Sequence, residues 1–241
     1  MKPKAVILSA FLTPLRSGAE ACVEEVAPLL AKDFAITIIT ARMRKDLPRH
    51  SHLGSIPVIR VGFGFGFDKW LFPFFAAYTV KKLKPQLIHA VLESFAGLGL
   101  VLCAWVYPRA KRILTCQSTN TTLLLRSMHR VAHRVTAISS VLVERAKLLG
   151  RHDVIQIPNG IRLHELTHAL SKEKRVTSRI LFVGRLEPMK GVATLLDAYA
   201  EIADEFPKAH LHIIGDGSLR SALEERQSAL VREQRIVFRG Y

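Results

Sequence analysis

The chain has 241 residues, 49% of them hydrophobic, and a formal net charge of +15. At ~100–200 residues per domain this is more than one ordinary domain and less than two full ones, with ample apolar material for a core. Three scattered cysteines (Cys22, Cys103, Cys116) exclude a disulfide framework or zinc site and suit a reducing compartment, and no segment reaches the ~18–20 apolar residues of a membrane span.

The charge is uneven. Residues 1–172 carry 24 Lys/Arg against 10 Asp/Glu, whereas residues 173–241 carry 11 against 10. Acidic lipid headgroups and phosphorylated acceptors are natural partners for the basic part. Nucleic acid is not expected, because the cations are scattered and no nucleic-acid motif is present.

The N-terminus, MKPKAVILSAFL, has a short apolar run and no cleavage site, so it reads as a first strand (Lys4 to Ala10) rather than a signal peptide. A helix follows from Ala19 to about Ala31, opened by Ser17 and Gly18; glycine there lets a ligand approach the backbone. Ala35 to Thr40 is a second strand, and a polar, basic loop leads to a third, Pro57 to Val61. Residues 62–67 read Gly-Phe-Gly-Phe-Gly-Phe, with the third glycine one position early for a dinucleotide fingerprint. The aromatic run continues through Trp70, Phe72, Phe74 and Phe75, with a helix expected from Phe74 to Leu83. Core packing is the expectation for most of these rings, with the tip of a flexible loop as a candidate membrane or lipid-acceptor contact.

Leu87 to Ala90 is a fourth strand, and Phe95 to Tyr107 reads as a buried helix. Arg112 to Cys116 is a fifth strand, with a polar loop, Gln117 to Thr122, at its carboxyl end, where open α/β sheets bind ligands. Val135 to Ile138 is a sixth strand with Ser139 at its exit. A helix from Val141 to Leu149 and a seventh strand, Val154 to Ile157, lead to Pro158-Asn159-Gly160-Ile161. Repeated strand–helix alternation implies a parallel, doubly wound sheet.

Residues 163–178 read as a polar linker between a first domain (1–162) and a second (179–241). The second opens on an apolar run, Ile180 to Val183, expected to be a buried strand. Gly184 breaks it, Arg185 and Lys190 flank Pro188, and helical periodicity begins with Val192, Leu195, Leu196, Tyr199 and Ile202. A helix N-terminus beside two cations is a ready seat for a phosphate or diphosphate. Ala209 to Ile214 (strand), Gly215-Asp216-Gly217 (turn), a helix from Ser218 to Gln227 and Ile236 to Phe238 (strand) complete the chain. An open sheet edge is expected at that last strand or a neighbour.

The run Gly184-Arg185-Leu186 followed by Lys190-Gly191 resembles the G-R-L-x-x-x-K-G segment of retaining glycosyltransferases of family four. The turn Ser17-Gly18-Ala19-Glu20, V-T-A-I-S at 135–139, P-N-G-I at 158–161 and G-D-G at 215–217 resemble further segments of that family. The resemblance implies a GT-B fold: two Rossmann-like doubly wound parallel-sheet domains, the second incomplete. It implies transfer of a sugar, with retention, from a nucleoside diphosphate donor to a lipid-linked, glycan or small-molecule acceptor in cell-envelope polysaccharide synthesis. Arg185 and Lys190 would be the catalytic cations on the leaving diphosphate. Gly184, Gly191, Gly215, Asp216 and Gly18 would lie on the donor, and Gln117, His89, Ser139, Asn159 and Gly160 on the acceptor or sugar side.

The sequence departs from the family in three places. Gln117 stands where many members have a His, and glutamine can orient a hydroxyl but cannot act as a base near neutral pH. Arg162 stands where an Asp is usual. The family's Glu-x7-Glu segment has no counterpart, so weak or no activity is expected of the chain alone. No cofactor or metal is expected, the nucleotide sugar being a substrate. A cytoplasmic location, at the membrane face, is the expected site of action. The alternative is a non-catalytic nucleotide- or anion-binding protein on the same fold.

Overall fold

The structure, a computed structural model, describes residues 1–15, 18–122, 124–160 and 178–240. Expectations resting on Ser17, Ile161, Arg162 and residues 163–177 of the linker lie outside the described residues. The chain divides into two compact units, residues 1–162 and 163–241.

In the first unit, β1 (Lys4–Leu8), β2 (Ala35–Ala41), β3 (His50–Leu53), β4 (Ile56–Val61), β5 (Leu87–Val91), β6 (Lys111–Cys116), β7 (Arg134–Ala137) and β8 (Ile155–Gln156) form one sheet. Its order is β3-β4-β2-β1-β5-β6-β7-β8, and every pairing is parallel except β3 with β4. The winding reverses between β1 and β5, which opens a crevice at their carboxyl ends.

Alternation along β1 feeds two apolar layers. Val6 and Leu8 face α2 (Asp68–Leu83), α3 (Phe95–Val106) and α4 (Leu125–Val131), in a layer with Phe72, Ile88, Leu100, Leu114 and Met128 fully buried. Ala5 and Ile7 face the other layer with Val23 and Ala27 of α1 (Gly18–Leu30). Each large side chain so buried stabilises by roughly 1.5–3 kcal/mol. A Cβ at Gly97 would lie 2.5 Å from Met128 Sδ, so the glycine sets how closely α3 meets α4.

Several expectations change. The basic loop before β4 contains β3, which has one apolar residue in four and turns through Gly54 at φ +58°. A strand with so little apolar alternation leaves no signal, and it sits at the sheet edge. Helix α2 begins at Asp68, six residues before the expected start. The Asp68 carboxylate accepts the N–H groups of Gly64 (2.6 Å) and Phe65 (3.1 Å), which folds the glycine–phenylalanine loop onto the helix start. Pro73, sixth in the helix, removes one intrahelical bond without ending it. Most rings of this region are not core. Phe72 is fully buried and Phe75 partly so, while Phe63, Phe65, Phe67, Trp70 and Phe74 are exposed. The loop after β6 runs into α4, which had no sequence counterpart, and β8 is shorter than expected. Helix α5 (Ser140–Leu148) and α3 lie close to their expected spans.

In the second unit, β9 (Arg179–Val183), β10 (His210–Ile214) and β11 (Ile236–Arg239) form a parallel sheet in the order β11-β10-β9. Helices α6 (Val192–Ile202), α7 (Arg220–Arg226) and α8 (Ser228–Arg232) accompany it; α7 falls within the expected Ser218–Gln227 span, and α8 had no sequence counterpart. Leu186, Leu196, Tyr199, Leu211 and Ile213 are its core. The Tyr199 hydroxyl lies 2.7 Å from the Ala209 carbonyl, its hydrogen-bond acceptor. Strand β9 is not buried as expected: Ile180, Leu181 and Val183 are exposed, and only Phe182 packs on the core. The face bearing Leu181 and Val183 carries no covering layer among the described residues. Strands β9 and β11 are the two edges of this sheet.

Candidate functional site

The second unit builds a loop pair over its sheet. Gly184 follows β9 and donates its N–H to the Ile214 carbonyl at 3.0 Å, while Leu186 donates to the Asp216 carbonyl at 2.9 Å. These bonds lock the β9–α6 loop against the turn after β10. The contact is backbone on backbone: a Cβ at Gly215 would stand 1.9 Å from the Gly184 oxygen, and one at Gly217 2.5 Å from the Leu186 oxygen. Gly215, at φ +145°, therefore fits two loops together. The Asp216 carboxylate accepts the Gly217 N–H at 2.8 Å and lies 3.6 Å from Arg220.

Leu186 is the buried anchor of this loop, so Arg185 on one side of it is exposed. A 3-10 turn, Pro188–Lys190, follows, and Gly191 in the left-handed region (φ +67°) is the N-cap of α6. Glycine is the residue that adopts this conformation without steric cost. The turn leaves Lys190 exposed at the helix mouth, where the first N–H groups point outward. Glu187 is engaged elsewhere: its carboxylate accepts the Ser218 hydroxyl at 2.8 Å, and this bond holds its pKa below the usual range. Arg185 and Lys190 make no ion pair among the described residues. Two exposed cations at a helix N-terminus form an anion seat.

In the first unit the expected residues gather at the carboxyl ends of the strands. Gly18 heads α1 with open space where a Cβ would point. Asn159 donates its side-chain amide to the Gln117 carbonyl at 3.2 Å, which joins the loops after β6 and β8. The Gln117 Nε2 is buried without a partner. Ser139 is the N-cap residue of α5, without a side-chain capping bond, and Gly160 is exposed.

His89 is the third of five residues in β5. Its Nε2 lies 2.7 Å from the Thr115 hydroxyl, which lies 2.8 Å from that of Thr136, so a polar row crosses β5, β6 and β7. His89 and Gln117 line one small cavity of about 30 Å³, with Cys22 and Thr115. Burial pushes the His89 pKa down to about 4, which keeps its ring neutral near pH 7.

Sequence reasoning missed a buried polar cluster beside this group: Glu93 after β5, Cys116 at the end of β6, His129 on α4 and Arg145 on α5. His129 Nε2 is 3.2 Å from Glu93 Oε1, and Arg145 pairs with the same oxygen. Burial pushes the Glu93 pKa up, but bonds from His129 and Cys116 and the Arg145 charge outweigh it, and the net direction is down. Burial is also the main cause that raises the Cys116 pKa, so its thiol is neutral. The 3.9 Å contact of this thiol falls on the same His129 nitrogen that meets Glu93. A nucleophile–base–orienter chain needs both ring nitrogens, so the cluster is not a catalytic triad. The spacing of Leu125, Met128 and Val131/Ala132 was the available signal for α4, and hence for His129.

The family model described as Glycosyltransferase Family 4 matches residues 16–165, and that described as Glycosyl transferases group 1 matches residues 177–241. A phosphatidyl-myo-inositol mannosyltransferase of Mycobacterium tuberculosis is 35% identical over 160 residues, which cover 59% of this chain and 42% of the relative. The counterpart from Mycobacterium leprae is 34% identical over 88 residues, covering 35% and 23%. The matched region thus spans less than half the length of these curated relatives. Among solved structures, the lipopolysaccharide outer core galactosyltransferase WaaB superposes with a TM-score of 0.68 at 18% identity, covering 100% of this chain and 68% of WaaB. Anabaena HepE in complex with UDP gives 0.66 at 18% identity, covering 98% and 69%. With the parallel sheets and the motif order described above, the chain belongs to glycosyltransferase family 4 and has the GT-B type of fold.

Proposed function

We propose that the protein transfers a sugar, with retention, from a nucleoside diphosphate donor to a lipid-linked, glycan or small-molecule acceptor. The observation that carries this reading is the exposed couple Arg185 and Lys190 at the N-terminus of α6. Negative charge grows on the diphosphate as the sugar leaves, and fixed cations with free N–H groups stabilise that charge without metal or proton bookkeeping. The likeness to HepE, a UDP complex, supports a nucleotide ligand. Gly184 and Gly191 shape the loop, whereas Gly215 and Asp216 hold it against the neighbouring turn.

The first unit takes the acceptor, with Gln117 and Asn159 orienting a hydroxyl, Ser139 at a neighbouring strand end and His89 within β5. The departing phosphate takes the proton, so glutamine in place of a base is compatible with transfer. The relatives' name, phosphatidyl-myo-inositol mannosyltransferase, supports a lipid acceptor. The protein then works at an anionic membrane on its cytoplasmic face. Exposed Trp70, Phe74 and Tyr78 on one stripe of α2, with Lys81 and Lys82 beside them, support that contact.

Because the chain matches under half of its curated relatives, nucleotide binding is the direct measurement. Titration calorimetry with UDP and GDP should show saturable binding of at least one. Arg185→Ala and Lys190→Ala should each weaken it at least about tenfold, the loss of one charge-assisted contact, with unchanged melting temperature. Unchanged binding in either variant removes that residue's assignment. Gln117 also favours a second reading, a nucleotide- or anion-binding protein without catalysis. Tight binding of a nucleotide sugar with no release of nucleoside diphosphate, with acceptor lipid present, would establish it.

A further inference from the structure

The loop of residues 117–122 carries Gln117, is polar throughout, and is held from beneath as well as by its own contacts. Beside the Asn159–Gln117 bond and an internal bond from the Asn120 N–H to the Ser118 hydroxyl at 3.1 Å, two bonds tie it to the layer below. The Thr122 hydroxyl donates to the Glu93 carbonyl at 2.7 Å, and Arg145 Nη1 donates to the Asn120 carbonyl at 3.1 Å. Both ties lead to one residue, because the other arm of the same guanidinium pairs with the Glu93 carboxylate. That carboxylate is 1% exposed and also receives His129, itself 1% exposed, at 3.2 Å. The end of β5, the loop after β6, α4 and α5 thus converge on Glu93.

A metal ion is the obvious alternative occupant, since Glu93, Cys116 and His129 offer ligand atoms within 4.8 Å of one another. The charges oppose it. Arg145 already neutralises the same carboxylate oxygen, and burial keeps the Cys116 thiol protonated. A cation entering would meet a guanidinium and would have to deprotonate a thiol in an apolar site.

We propose that Glu93, His129 and Arg145 form a buried brace whose task is to hold loop 117–122, and with it Gln117, in the geometry that receives the acceptor. Glu93 and Arg145 are positioning residues, acting through the loop. A planar guanidinium suits this task because its fork spans a carboxylate on one side and a carbonyl on the other; an ammonium supplies the charge without the span. Buried charge then serves local geometry more than stability, since removing either partner strands the other without water. The link to acceptor binding rests on the proposed function, while the brace itself does not.

The test is amide hydrogen exchange of the segment 117–124, read by mass spectrometry, in Arg145→Lys and Thr122→Val. Arg145→Lys keeps a cation beside Glu93, and Thr122→Val removes the second tie without touching any charge. Each should speed exchange in this segment at least about tenfold, with β1, β5 and β6 still protected and the melting temperature close to wild type. Wild-type protection in both variants would overturn the brace, as would loss of protection spread over the whole sheet. Stoichiometric zinc in the purified protein, lost in Cys116→Ser, would overturn it too. UDP titration runs in parallel on the same samples. Failure of the wild type to bind UDP counts against the proposed function, while the exchange result still decides the brace.

Discussion

His89 is neutral inside the sheet, and that fact makes stability depend on pH. Part of its side chain reaches solvent, but its surroundings desolvate it, and the folded-state pKa falls to about 4. The unfolded chain binds a proton near pH ~6.5, as a free histidine does. The folded chain therefore holds fewer protons between these values. The stability contributed by keeping His89 neutral is complete above the unfolded pKa and is lost as pH falls towards 4. The effect is on the order of 2–3 kcal/mol. Urea unfolding of the wild type should weaken steadily over that window. His89→Gln, which can still meet the Thr115 hydroxyl, should show a shallower slope there. Glu93 acts in the same direction at lower pH. Its depressed pKa contributes stability above the normal carboxylate range, lost as the solution is acidified through its folded value. Equal slopes in wild type and His89→Gln would remove the histidine from the account.

At the scale of elements, the β9–α6 loop and the turn after β10 behave as one piece. The bond from Gly184 to Ile214 and the bond from Leu186 to Asp216 hold them, and Gly215 leaves no room for a side chain. Gly215→Ala should cost more than about 2 kcal/mol, from both the clash and the positive φ. Gly18→Ala, where a Cβ meets nothing, should stay within about 1 kcal/mol. Chemical denaturation of the two variants checks the contrast. Much of this region was legible in the sequence, because strand, breaker, cations and helix follow one another along the chain. Gly215 read as a ligand-binding residue there, since a motif does not reveal that its glycine touches a loop 31 positions earlier. The Glu93 brace was illegible for the same reason: its members are up to 52 positions apart, and only the fold makes them neighbours. Strand β3 escaped because an edge strand needs little apolar alternation. The exposed rings around Trp70 were expected inside, since hydrophobicity alone does not say which face of a helix meets solvent.

For the molecule as a whole, the basic charge and the exposed aromatic surface lie in the same unit. Trp70, Phe74 and Tyr78 are 64%, 63% and 59% exposed, at successive four-residue steps on α2. Lys82 lies over the Tyr78 ring and Lys45 over Phe65, at 4.4 and 4.5 Å. No helix among the described residues is long and apolar enough to cross a membrane. Binding to vesicles of phosphatidylcholine with phosphatidylglycerol should weaken as salt rises, by screening over a Debye length of about 10 Å at 0.1 M. Trp70→Ser with Phe74→Ser should reduce binding further at any salt concentration, while circular dichroism stays unchanged. Equal binding to purely zwitterionic vesicles would argue against the charge contribution.

The carboxylate of Asp68 gives this surface a further property. By gathering the N–H groups of Gly64 and Phe65, it ties the middle of the glycine–phenylalanine loop to the start of α2. Phe65 and Phe67 stack at 5.4 Å, and Phe63 meets Phe75 edge-on at 5.6 Å, before any partner arrives. Ordering a flexible loop at an interface costs roughly 0.5–1.5 kcal/mol for each immobilised side chain. Here folding has already met part of that cost, so under the proposed membrane contact the rings would reach a bilayer already ordered. Asp68→Ala would leave the same apolar groups on the surface and still weaken their partitioning, because the lost quantity is preorganisation rather than hydrophobicity.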